Sequence, residues 1–354
     1  KRVRERLFKC HIGLELESLR INKSGYLAKT DHPFQGEKYI VRDFCENQTE
    51  INTPVASSVE EVMDELGGYR KKIVKTLLEL PEPEYLWPFS NPPYIINEED
   101  IPIARYTGDE KYKRDYRIYL SERYGRYKMT FSGIHYNYSF DEELLKENFT
   151  FYEGEDYGTY RNGIYTSLAA KAQAYNWLVV ALTAASPLLD SSYVEKGVFG
   201  RDVFNGMGST RCSELGYWNF FTPILDYESI SEYADSILKY IEKGLIRSSS
   251  ELYFPVRLKS FGEYSLCALC EKGVSHIELR MIDLNPLTET GIDERDVRFI
   301  QLLLIWLSAL PPIRFDVSEQ VLAVQNTKNA ARYDLKTVNI IMSDGRSLRV
   351  TDAA

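Results

Sequence analysis

HIGLELESLRI, residues 11–21, decides the reading of this chain. Apolar Ile12, Leu14 and Leu16 alternate with Gly13, Glu15 and Glu17. That period of two specifies a β-strand with one apolar face and one face bearing two carboxylates. Asn22 to Gly25 then supplies a turn. Taken alone, such a Glu-x-Glu face is the ordinary solvated side of an antiparallel sheet.

The same feature recurs along the chain. Residues 38–52 form a second extended stretch, closed by Pro54, that carries Asp43 and Glu50. KMTFSGIHYNYSF (128–140) reads as a strand with His135, Asn137 and Ser139 on one face and Ile134, Tyr136 and Tyr138 on the other. ELYFPVRLK (251–259) and VSHIELRMID (274–283) are two further strands, and in the second His276, Glu278 and Arg280 share a face. Carboxylates inside a protein are costly unless cations accompany them. If these strands share a sheet, Glu15, Glu17, Asp43, Glu50 and Glu278 converge. They would then suit magnesium or manganese with oxygen ligands, and His135 could complete the set through an imidazole nitrogen. The competing reading makes each pair a wetted face and His135 a satisfied core histidine.

Between these strands the pattern is helical. Ser57 and Glu60 form a capping box ahead of a helix to about Leu80, interrupted by Gly67-Gly68. Residues 81–108 are Pro-rich and irregular, and 109–125 are charged and helical. A long helix spans about 163–184, ahead of Pro187, and an amphipathic one spans 229–243. Residues 190–226 are Gly-rich and polar, as functional loops are. Within them GVFGRDVFNGMG (197–208) reads as a mobile loop. DVRFIQLLLIWLSAL (296–310) is apolar nearly all round, which predicts a buried helix. After Pro311 only Val338 to Met342 gives a strand signal.

Bulk properties narrow the function. The 354 residues carry a formal net charge of −9, which argues against a phosphate backbone as partner. No apolar run reaches 18 residues, so no membrane span is expected, and the basic start KRVRERLFKC is not followed by an apolar signal core. The 26 tyrosines suit half-buried sheet surface. Five scattered cysteines, an odd number, indicate a reduced, cytoplasmic protein. Cys267 and Cys270 form a C-x-x-C with no second pair nearby, so one face of a short helix is preferred over zinc. Neither G-x-x-x-x-G-K-[ST] nor G-x-G-x-x-G after a strand is present.

Seven collinear segments resemble the bacterial glutamate–cysteine ligases and the front half of the bifunctional glutathione synthetases. They are GLELESLRINKSG (13–25), VRDFCENQTEINTPV (41–55), LWPFSNPPYI (86–95), FSGIHYNYSF (131–140), STRCSELGYWN (209–219), ELYFPVR (251–257) and HIELRMIDLNPLTETGID (276–293). The resemblance implies an α+β fold like that of glutamine synthetase: a curved, mainly antiparallel sheet forming a funnel, with helices outside. It implies a catalytic domain over 1–312 with 313–354 as an extension of it. Family members continue past the last helix with a further helical region, whereas 44 residues follow Leu310 here, pointing to a trimmed or compact version.

The implied activity is ATP-dependent ligation of the glutamate γ-carboxylate to cysteine through an acyl phosphate, with a different amine acceptor or a non-catalytic ATP-binding relative as alternatives. By the match, Glu15, Glu17, Asp43, Glu50, His135 and Glu278 hold Mg2+ or Mn2+ against ATP. Arg280 faces the transferring phosphoryl group. Arg211, Tyr217 and Tyr253 hold the acceptor carboxylate, with Phe44 near its side chain. ATP is held by metals and arginines, with no glycine cradle. Replacing Glu278 by glutamine should abolish turnover and spare folding by relieving repulsion among carboxylates. Cys212 and Trp218, and Ala184-Ala185-Ser186-Pro187 in place of Gly-Ala-Ser-Pro, depart from the family near the acceptor.

Overall fold

A computed structural model describes residues 6–152, 156–195 and 202–354. The opening stretch becomes β1 (Cys10–Asn22), the strand around which the sheet is built. Residues 38–52 are a hairpin, not one extended stretch: β2 (Ile40–Arg42) and β3 (Gln48–Asn52) reverse at Asp43–Asn47. β4 (Glu84–Leu86) adds to the far end of β1, inside a segment that looked irregular because only three residues pair. β5 (Ile134–Phe140), β8 (Val256–Ser260) and β9 (Val274–Ile282) complete an open, antiparallel sheet in the order β2-β3-β1-β5-β9-β8, with β4 paired to β1. β6 (Leu188–Asp190) and β7 (Asp202–Phe204) form a separate hairpin, as do β10 (Asn339–Ile341) and β11 (Ser347–Arg349).

Register explains how separate carboxylates meet. Glu17 lies opposite Glu50, Glu15 opposite His135, and Glu278 opposite Asn137 on one side and Arg257 on the other. Between β5 and β9 the register slips. Ile134 pairs with Ile282 and Tyr136 with Leu279, so two residues, Arg280 and Met281, oppose the single His135. Such a bulge re-aims side chains, and here it brings Arg280 beside His135. The opposite sheet face carries Ile12, Leu14, Leu16, Tyr136, Tyr138 and Ile277, all at most 1 % exposed, in the main core.

Helices cover that core: α1 (Val59–Leu78), α2 (Lys111–Tyr124), α3 (Glu142–Phe149), α4 (Tyr157–Thr183), α5 (Ile230–Glu242), α6 (Leu266–Lys272), α7 (Glu294–Ala309) and α8 (Val317–Ala330). The cap of α1 sits one residue later than expected. Ser58 accepts from the Glu61 amide, and the Glu61 carboxylate returns to Ser57, while Glu60 instead pairs with Arg298 of α7 at 2.6 Å. α1 runs unbroken through Gly67-Gly68, where Thr290 approaches Gly67. α4 begins earlier than its apolar pattern suggests because Asp156 caps the amides of Gly158 and Thr159. α7 is not buried all round: Leu302 and Trp306 are about half exposed. α8 gave no apolar signal, because polar contacts seat it: Gln320 bonds both main-chain groups of Leu225, and Thr327 bonds Asn176 of α4. Residues 128–133 and 251–255, expected as strand, are mostly 3₁₀ turn and loop. Cys267 and Cys270 lie exposed on α6.

Arg20, inside the carboxylate motif, points away from the carboxylate face. Fully buried, it pairs with Glu84 of β4 and donates to Thr30 and the Glu46 carbonyl. Removing one member of a buried pair strands the other charge. Arg20→Met should therefore cost about 3–5 kcal/mol in urea unfolding, and a loss below about 1 kcal/mol would show that the pair is not what holds β4.

Candidate active site

All eleven residues nominated from sequence line one cavity of about 260 Å³: Glu15, Glu17, Asp43, Phe44, Glu50, His135, Arg211, Tyr217, Tyr253, Glu278 and Arg280. Its floor is the polar sheet face. Glu15 accepts from His135 Nδ1 at 2.7 Å and from Asn137 at 3.0 Å. Arg280 lies 3.3 Å from the same imidazole nitrogen. Both contacts cannot be hydrogen bonds to a single tautomer. The shorter one to the carboxylate decides it, so Nδ1 carries the proton and Nε2 turns its lone pair toward Glu17, 3.6 Å away. Glu17 is held by the Gly133 amide at 2.9 Å. Glu278 takes Arg280 on Oε1 at 2.8 Å, with Lys259 at 3.5 Å, while its buried Oε2 has no partner.

The wall comes from the loop after β7. Arg211 donates to the carbonyls of Arg280 and Ile282. Ser209, two residues earlier, and Ser186 both donate to the buried Asp283, which fixes the loop against β9. Segment 197–208 was expected to be mobile; its residues 197–201 lie outside the described residues, and 202–204 form β7. The Tyr217 and Tyr253 rings pack at 3.9 Å, and Tyr217 donates to the Met129 sulfur. Phe44, Leu120 and Met129 close this end as part of a second apolar cluster.

The profile of the family described as glutamate-cysteine ligase matches residues 1–244 and 220–330. The chain belongs to that family. It is 38% identical over 312 residues to the glutathione biosynthesis bifunctional protein of Clostridium perfringens, covering 84% of this chain and 40% of that one. Against the same-named protein of Listeria monocytogenes it is 37% identical, covering 99% and 47%. It thus spans about half the length of the curated relatives it matches. A bifunctional glutathione synthetase structure from Pasteurella multocida superposes with a TM-score of 0.81 at 26% identity, over 94% of this chain and 43% of that one. A glutamate–cysteine ligase structure from Francisella tularensis in complex with AMP gives 0.86 at 24% identity, over 98% and 76%, and shows the shared fold. The glutamine synthetase-like architecture expected of a glutamate–cysteine ligase family member is therefore the one present.

Electrostatics divides the floor in two. Burial opposes ionisation of Glu278, but the charges of Arg280, Lys259 and Arg257 overrule it and hold its carboxyl well below the usual range. Burial is the largest influence on Glu15 and raises it, yet the His135 hydrogen bond and nearby positive charge, Lys259 included, together outweigh it and the pKa falls to about 2. Burial and the nearby Arg280 lower His135, leaving it neutral near pH 7. On the other side, burial and then Asp43 push Glu17 up to about 8 and Glu50 well above its ordinary value. Glu278 is thus ringed by cations, and the relief of repulsion expected on its replacement applies to Glu17 and Glu50 instead. Burial raises Tyr217 and Tyr253 far above 10, which keeps both hydroxyls protonated as donors.

A divalent cation fits this set. Ligand atoms of Glu15, His135 and Glu278 lie within 4.8 Å of one another, the Glu278 Oε2 is unpartnered, and two crowded carboxylates stand next to them. Sequence reasoning missed the cationic rim: Arg117, Lys128 and Lys259, with Arg257 behind Glu278. Lys259 and Arg257 alternate along β8 as one face, a legible signal; Arg117 and Lys128 sit among many exposed charges and give none. Asn137 was placed on the correct face but not nominated.

The raised Glu17 has a pH consequence. Without a cation, its neutral form stabilises the fold fully below pH 4.5, and this is lost as pH climbs through about 8. A cation bound there must displace the proton, so its affinity weakens about tenfold for each unit the pH falls, per proton released. Calorimetric titration with Mn2+ should show affinity rising from pH 6 to pH 8, with proton release; constant affinity across that range would contradict the assignment.

Proposed function

We propose that this chain catalyses ATP-dependent joining of the glutamate γ-carboxylate to the amine of cysteine. The observation that carries this reading is the single cavity in which a cation-binding floor, a phosphate-suited arginine and an arginine–tyrosine wall face one another. A carboxylate is a poor electrophile, and ATP cures this. One γ-carboxylate oxygen attacks the terminal phosphorus, ADP leaves, and the resulting acyl phosphate is attacked by the amine, which loses a proton as phosphate departs. A bound Mg2+ or Mn2+ supplies the charge that lets two anions approach.

The chain's own groups have separable tasks. Glu15, Glu17, Asp43, Glu50, His135 and Glu278 would hold the cations. Arg280, anchored by Glu278 at 2.8 Å, presents a planar donor fork to the transferring phosphoryl group. Arg211, with Tyr217 and Tyr253, would take the acceptor carboxylate, and Phe44 would flank its side chain. We assign the catalytic unit to 1–312, with 313–354 as its extension, on the strength of α8 packing against α4. A cytoplasmic setting is supported by five free cysteines, and no helix among the described residues is long and apolar enough to cross a membrane.

The test is phosphate release with glutamate, ATP, Mg2+ and a panel of amines. Cysteine-stimulated release is expected. Stimulation by another amine alone would move the acceptor, and ATP–cation binding without release would make the chain a non-catalytic relative. Variants separate the two halves of the floor. Glu278→Gln should lower kcat by about 100-fold or more and, by stranding Arg280 and Arg257, cost about 3 kcal/mol in stability. Glu50→Gln should also impair turnover yet raise the melting temperature of the cation-free chain. Equal melting shifts for the two would refute this division.

A further inference from the structure

We propose that Gly133 is the positioning residue that links the acceptor-binding arginine to the cation-binding floor; this rests on the ligase reading above. A Cβ at residue 133 would lie 2.2 Å from both Cζ and Nη2 of Arg211 and 2.5 Å from its Nε. The guanidinium therefore packs flat on the bare Cα of Gly133. Two hydrogen bonds hold it in that position, from Nη2 and Nη1 to the carbonyls of Arg280 and Ile282 at 2.6 and 3.4 Å. From its other side Gly133 serves Glu17: its amide donates to the Glu17 carboxylate at 2.9 Å, and its carbonyl accepts from the Glu17 amide at 3.1 Å. One residue without a side chain thus sets both the plane of Arg211 and the carboxylate of Glu17.

The collision is with the tip of a flexible side chain, so a methyl group displaces the arginine more readily than it disrupts the fold. Gly216 shows the contrast, since its Cβ would strike the Arg211 backbone carbonyl at 1.8 Å, where nothing can swing aside. A displaced Arg211 loses the acceptor carboxylate in ground state and transition state alike, which raises KM and leaves kcat close to its original value.

Steady-state kinetics of Gly133→Ala tests this, with cysteine and with cysteamine, which lacks the carboxylate. The cysteine KM should rise about tenfold or more with kcat within about threefold, and the cysteamine KM should stay within about twofold. In an Arg211→Ala background, Gly133→Ala should change the cysteine KM by less than about twofold. Equal effects on both acceptors, or effects that multiply in the double variant, overturn the inference. If Gly133→Ala alone does not fold, the double variant vacates the space and should recover the melting temperature of Arg211→Ala; failure to recover also overturns it. Wild-type turnover is the control. Its absence with every amine sinks the ligase reading and this inference together, whereas normal wild-type turnover with an unchanged Gly133→Ala sinks this inference alone.

Discussion

Negative charge removed from water governs this molecule. Four glutamates and an aspartate line one cavity over one sheet face, where solvent screens them only in part. The chain neutralises part of that charge itself: Arg280, Lys259 and Arg257 surround Glu278, and His135 and Asn137 serve Glu15. Around Glu17 and Glu50 the compensation is incomplete, which is why those two glutamates hold their protons more tightly than usual. A divalent cation is the natural replacement for those protons, and the imbalance marks where it would enter.

The fold is arranged to bring this about. Antiparallel register sets Glu15 beside His135 and Glu17 beside Glu50, and the bulge in β9 turns Arg280 toward both. The other face is packed with tyrosine and aliphatic side chains; α4 packs against β8 and β9 and α1 against β1, with α7 and α8 laid on α4. The buried Arg20–Glu84 pair ties the end of β1 to β4. The loop that supplies Arg211 is pinned through Asp283 rather than left loose. Rigid support of this kind lets a small cavity hold Arg280 and Arg211 in separate, fixed positions.

Much of this was legible before any coordinates. Period-two alternation placed Glu15, Glu17, His135 and Glu278 on the correct faces, because one face of each strand must be apolar. Family motifs, not periodicity, brought in Arg211, Tyr217 and Tyr253. What escaped was tertiary. The cap of α1 fell on Ser58 because Ser57 and Ser58 compete and only packing chooses. α8 is seated by Gln320 and Thr327, side chains that carry no hydrophobic period. The role of Gly133 depends on where a guanidinium 78 residues later comes to rest, which no local pattern encodes.

The central claim is that these side chains form a cation site, and anomalous scattering from crystals soaked in Mn2+ addresses it most directly. The account predicts a peak bounded by Glu15, His135 and Glu278, about 2.0–2.3 Å from their ligand atoms. A peak only at the exposed Asp226, Glu228 and Glu232, or none within the cavity, would contradict it.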